Sequence, residues 1–208
     1  MHQKHVLLKG RKLSEAEKVL VMLHGRGANA EDILSLANYL NVAQFTLLAP
    51  QATGNTWYPN SFLAPPFTNE PWLSSAISLV DDITNDIVEN GVSYDNIFFL
   101  GFSQGACLTS EFAIRNPSRY GGVLIFTGGV IGPEGTAWNE AGDFAGTPIF
   151  LGCSDRDAHV PESRARETAV RFTNLGARVT LRIYPGMGHI VNDDEIAFAQ
   201  QVLDDVSS

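Results

Sequence analysis

The sequence predicts an α/β protein: a mostly parallel central sheet with helices on both faces, in one domain over residues 1–208. Three observations predict it. Short continuous apolar runs alternate with segments whose apolar residues recur every three or four positions. Runs of that length read as strands buried on both faces, and strands that alternate with helices pair in parallel. The 208 residues, 44% of them hydrophobic, suffice for one sizeable core and are few for two.

The elements follow in order. Residues 5–10 (HVLLKG) predict an edge strand, antiparallel to the next strand along the chain. That next strand is 19–25 (VLVMLHG), buried by its unbroken apolar character. Further strands are expected at 45–51 (FTLLAPQ), 96–102 (NIFFLGF), 122–129 (GVLIFTGG), 147–154 (TPIFLGCS) and 178–186 (RVTLRIYPG). Leu73, Ile77, Val80, Ile83 and Ile87 predict a helix over Trp72–Glu89. Another is expected over Gln104–Arg115, ending before Asn116-Pro117, because the residue ahead of a proline is pushed out of the helical region. Residues 161–175 and 195–206 complete the set, with Pro161 in a first turn and Gly176 as a C-terminal cap. Two long irregular stretches remain, 52–71 and 131–146, and loops of that length are usually functional.

The formal charge is −9, with no basic cluster, which speaks against nucleic acid and against an anionic membrane surface. No stretch approaches a membrane span, and the apolar run at the N-terminus is short for a signal peptide, so a cytoplasmic protein without stable membrane association is expected. Cys107 and Cys153 lie far apart in apolar stretches and read as reduced core residues.

Residues 101–105, Gly-Phe-Ser-Gln-Gly, fit G-x-S-x-G between a predicted strand and a predicted helix. That setting presents a serine hydroxyl at the carboxyl edge of a parallel sheet, where such sheets bind ligands. A plainer reading makes Ser103 an N-cap in a tight turn. As a nucleophile Ser103 needs a base, because a free hydroxyl is a poor nucleophile at neutral pH. His2 and His5 read as surface residues, His24 ends a buried strand, and His159 follows an aspartate. His189, in PGMGHIVND after the last strand, fits the chain order Ser, acid, His. The acid falls in FLGCSDRDAHVP, as Asp155 or Asp157, whereas Asp193 and Asp194 suit the first turn of the final helix. The backbone amides of Gln104 and of Arg26, in the HGRGAN loop, are the expected oxyanion donors. A different reading makes Asp155, Asp157 and His159 ligands of a divalent ion, and leaves Ser103 and His189 without a role.

Taken together, LHGRGAN, APQ…TWYP, GFSQGA, GCSDRDAHVP and GMGH resemble the phospholipase/carboxylesterase family of α/β-hydrolases, which includes the acyl-protein thioesterases and small bacterial carboxylesterases. The resemblance runs from about Val19 to the last helix. It implies an α/β-hydrolase fold without a large cap domain, and serine hydrolysis of acyl esters or thioesters with no metal or other cofactor. It carries the nucleophile onto Ser103, the histidine onto His189 and the oxyanion donors onto the Arg26 and Gln104 amides. The acid is less direct: the family pattern is close to H-G-x-x-D-x-x-V-P, and here Leu151 stands for the histidine and two extra residues separate the anchors. Counting forward selects Asp155; counting back from Val160-Pro161 selects Asp157, which is preferred because Val-Pro opens the next helix. Where the family commonly has W-F-D, this chain has Trp57-Tyr58-Pro59-Asn60 followed by SFLAPPF. Trp57, Tyr58 and Phe62 are read either as the lining of an apolar acyl pocket or as packing that holds the loop down. The expected substrate is a small-molecule ester, short-chain or aryl. A lysophospholipase or acyl-protein thioesterase is the alternative within the family, and a non-catalytic module holding a small ligand the alternative outside it. An exposed aromatic loop would serve as a substrate lip or a homodimer surface.

Overall fold

The computed structural model describes residues 1–138 and 141–205. Seven strands form one sheet: β1 (Val6–Gly10), β2 (Lys18–Leu23), β3 (Phe45–Pro50), β4 (Ile97–Phe102), β5 (Gly122–Phe126), β6 (Pro148–Ser154) and β7 (Arg178–Tyr184). The five α-helices of the described residues are α1 (Ala30–Ser35), α2 (Trp72–Glu89), α3 (Gln104–Arg115), α4 (Glu162–Asn174) and α5 (Asp193–Asp204). The spatial order is β1-β3-β2-β4-β5-β6-β7, parallel except for β1.

Alternate residues of each central strand feed two separate cores. Val19, Val21 and Leu23 of β2 join residues of α2, α3 and α4, whereas Leu20 and Met22 join residues of α1 and α5. Helices therefore cover both faces, as the unbroken apolar runs require. β7 closes the open edge and its pattern changes accordingly: Val179, Leu181 and Ile183 turn inward, while Arg178, Thr180 and Arg182 are exposed.

Helices α2 and α3 have the expected bounds, and the strands differ by no more than three residues at an end. One pairing is corrected. β1 is antiparallel and at the edge, but it pairs with β3, with Val6 opposite Pro50, because both sides of β2 are taken by β3 and β4. α4 starts after Pro161, whose backbone is extended, and ends in a Schellman motif: Gly176 at φ +79° lets the Ala177 N–H reach Phe172 O at 3.0 Å. α5 starts two residues earlier than expected, at Asp193, and Val206 of the expected helix lies outside the described residues. Residues 139 and 140 of the second long loop also lie outside them. α1 has no counterpart in the sequence reading. Its six residues are too few for a periodicity, but Asn29 and Asp32, three apart, form a capping box that marks its start.

Candidate active site

The loops after β2, β4, β6 and β7 meet along one edge of the sheet, the carboxyl edge of its parallel strands. Ser103 follows β4 and adopts φ 54°, ψ −119°, a strained backbone for a non-glycine residue that costs roughly 1–3 kcal/mol. The strain is thus on the serine itself. Gly101 and Gly105 serve a different need: a Cβ on Gly105 would run into the Leu23 carbonyl, and one on Gly101 into the Gly105 carbonyl. Helix α3 can then press against β2 and β4 and lift the hydroxyl out of the sheet. Ser103 stands at the N-cap position of α3, as the plainer reading has it, but its side chain makes no cap bond there.

The Ser103 hydroxyl lies 2.8 Å from His189 Nε2, and His189 Nδ1 lies 2.7 Å from Asp157 Oδ2. An ionised carboxylate only accepts, so His189 carries its proton on Nδ1 and offers the Nε2 lone pair to the serine. The Asp157 carboxylate has no exposure, and its Oδ1 accepts the His159 and Val160 amides at 2.7 and 2.9 Å. Asp155 is instead a strut: its Oδ1 accepts the Gly186 amide at 2.7 Å. Beside it the buried Ser154 hydroxyl accepts the Gly188 amide at 3.1 Å, so two β6-side groups hold the histidine loop. Among the described residues no three His, Cys, Asp or Glu side chains stand together as a metal-ligand set.

The Arg26 and Gln104 amides lie in the loop after β2 and in the first turn of α3. A first-turn amide has no acceptor within its helix. No hydrogen bond among the described residues engages either one. The loop that carries Arg26 is anchored by His24, whose ring was not expected to have a role. Its Nδ1–H donates to Gly25 O at 2.8 Å and its Nε2 accepts the Ala52 amide at 3.1 Å. Burial lowers its pKa, which keeps the ring neutral as that pattern needs. Gly27, at φ +77°, turns the loop and donates to Asn55 O at 2.7 Å.

The aromatic loop is tied down by Gln104. Its side chain accepts the Trp57 amide at 3.0 Å and donates to Tyr58 O at 2.8 Å. Of the three expected pocket residues, Tyr58 and Phe62 line a cavity of about 480 Å³ together with Ser103, Gln104, Arg26 and His189. Trp57 does not. It is fully buried beneath the loop, donates to His24 O at 2.8 Å and packs on the rings of His24 and His2. His2 is correspondingly half-buried, with Nε2 bonded to Trp57 O at 2.9 Å, and is not the free surface residue expected. The three aromatics are buried, so the loop offers no exposed aromatic patch made of them. Trp57→Ala should cost about 3–5 kcal/mol of stability, read as a lowered urea midpoint at unchanged slope.

A second cavity, of about 560 Å³, lies on the other side of His189, between α1 and the start of α5. Ile33, Leu36, Tyr39, Phe102, Ile190 and Ile196 make it apolar. His189, Phe102, Gly25 and Ala28 line both cavities, but Ser103, Arg26 and Gln104 line only the first.

Glu195 fixes the far end of the histidine loop. It completes the α5 capping box, accepting the Asn192 amide at 2.9 Å, while its Oε1 is buried without a partner against Gly152. Burial is the main cause that raises its pKa from 4.5 to about 7. The unfolded chain then releases this proton first as pH rises, so folding loses on the order of 3 kcal/mol between about pH 4.5 and pH 7. Glu195→Gln keeps an acceptor for the cap and should flatten that slope in urea melts taken from pH 5 to pH 8.

A family model described as Phospholipase/Carboxylesterase matches residues 9–207. The chain belongs to that family. Its members include hydrolases acting on ester bonds, and the chain has their α/β-hydrolase fold, with no large cap among the described residues. A crystal structure of a phospholipase/carboxylesterase from Dyadobacter fermentans is 43% identical, with 97% of each chain covered and a TM-score of 0.94. An acyl-protein thioesterase 1 from Eremothecium gossypii is 29% identical over 91% of this chain and 89% of its own length. The Bacillus cereus carboxylesterase, at 21% identity, covers 96% of this chain and 92% of its own and shares the fold with a TM-score of 0.76. No helix among the described residues is long and apolar enough to cross a membrane.

Proposed function

We propose that the protein is a serine carboxylesterase that hydrolyses small acyl esters through an acyl-enzyme intermediate. The observation that carries this reading is the unbroken chain of short contacts from Ser103 through His189 to the buried Asp157. His189 Nε2 takes the Ser103 proton as Oγ attacks the ester carbonyl carbon, and the Arg26 and Gln104 amides stabilise the oxyanion. Collapse breaks the bond to the leaving oxygen, which takes the proton from Nε2. Water then attacks the acyl-enzyme, with His189 again as base. Asp157 keeps the imidazole in the required tautomer and stabilises the imidazolium.

Direction follows from the lining of the two cavities. The acyl group rests in the cavity that holds Ser103 and both amides; the alcohol leaves past His189 into the apolar one. Thioester cleavage, as the relative's name suggests, uses the same steps. The acyl cavity of about 480 Å³, edged by Arg26, Asn60 and Ser61, favours short acyl groups over long lipid chains. Two free, buried cysteines fit a reducing cytoplasm. The test is turnover of p-nitrophenyl esters of graded acyl length: short chains should be fastest. Inactivity on every ester would favour a ligand-binding module, and a preference for long chains would favour a lipid or acylated-protein substrate.

A further inference from the structure

The acyl cavity has an unusual charge pattern for this chain. The sequence carries 23 acidic and 14 basic residues, yet no acidic side chain lines this cavity, whereas Arg26 and His159 both do. The Asp157 carboxylate, which bonds His189, is shut away with no exposure. The Arg26 guanidinium donates to Pro59 O at 2.9 Å and to Asn60 O at 2.7 Å, and sits 5.9 Å from the centre of the Tyr58 ring. Those carbonyls fix its position but leave its charge uncancelled: among the described residues it has no ion pair. Three of its five N–H groups stay available.

His159 is held by its amide to Asp157, and its exposed ring stands edge-on to His189 with centroids 4.8 Å apart. Tyr58 adds an aromatic wall to the same cavity, with its hydroxyl fully buried beside the Cys107 thiol.

We propose that this cavity takes an acyl group ending in a carboxylate, with Arg26 and His159 as the residues that select it. The proposal rests on the esterase reading above and names its substrate class: half-esters of short dicarboxylic acids. Arg presents a planar fork suited to a carboxylate, and charge-assisted bonds are about twice as strong as neutral ones.

The test compares the p-nitrophenyl monoester of adipic acid with p-nitrophenyl hexanoate, which has the same chain length and no charge. The native protein should favour the carboxylated ester by about tenfold or more in kcat/KM, and His159→Leu and His159→Gln should each reduce that ratio severalfold. Calorimetry on Ser103→Ala reads binding without turnover: adipate should bind and hexanoate should bind much more weakly. Equal rates on both esters by the native protein would overturn the carboxylate proposal and leave the esterase standing. No turnover of either ester, with adipate still binding to Ser103→Ala, would overturn the esterase reading while supporting the selective cavity.

Discussion

Ser103→Ala is expected to lower kcat on p-nitrophenyl acetate by about 10⁴–10⁶-fold while leaving the protein folded. The alanine removes the nucleophile and keeps both amides and the cavity, so a residue of catalysis over water should remain. Folding should not suffer, because the hydroxyl makes no cap bond and, among the described residues, hydrogen-bonds to His189 alone. The positive φ of Ser103 remains strained with alanine, so stability should change little in either direction. Steady-state kinetics paired with a urea melt separates loss of chemistry from loss of fold.

The second large effect distinguishes two aspartates two residues apart. Asp157→Asn should reduce kcat by about 10⁴-fold, because an amide at this position favours the other imidazole tautomer and withdraws the charge that steadies the imidazolium. Asp155→Asn should cost less than about tenfold. Among the described residues its Oδ1 accepts only the Gly186 amide, a bond an asparagine can also accept. If Asp155→Asn were the more damaging change, the acid would have been assigned to the wrong residue.

The sheet was legible because its strands are buried on both faces and so read as unbroken apolar runs. Helices α2 and α3 were legible because they are long enough for a period to repeat. β1 was assigned the wrong neighbour for a physical reason: a half-exposed edge strand carries no pattern that says which strand it meets. α1 was missed because six residues hold less than two turns.

The candidate site was legible in its chemistry-bearing residues, since Ser103, His189 and Asp157 each follow a strand and those ends share one edge. Counting back from Val160-Pro161 placed the acid where the short contact to His189 falls, because the Asp157 carboxylate holds the Val160 amide as well as the imidazole. What the sequence concealed was support. His24, Ser154 and Asp155 act through bonds to backbone amides 28, 34 and 31 residues away, and no local pattern announces such partners. Trp57 illustrates the same limit. An aromatic in a loop next to the candidate site can face the cavity or the core, and its bond to His24 O, 33 residues away, decides for the core.

The central claim is that Ser103 becomes acylated. The direct measurement is the mass of the protein, rapidly quenched during turnover of p-nitrophenyl acetate and digested to peptides. The account predicts one acetyl group on the peptide carrying Ser103, and none on the same peptide of Ser103→Ala. An enzyme that turns over fully with that peptide unmodified, and resists a fluorophosphonate at the same serine, would contradict it.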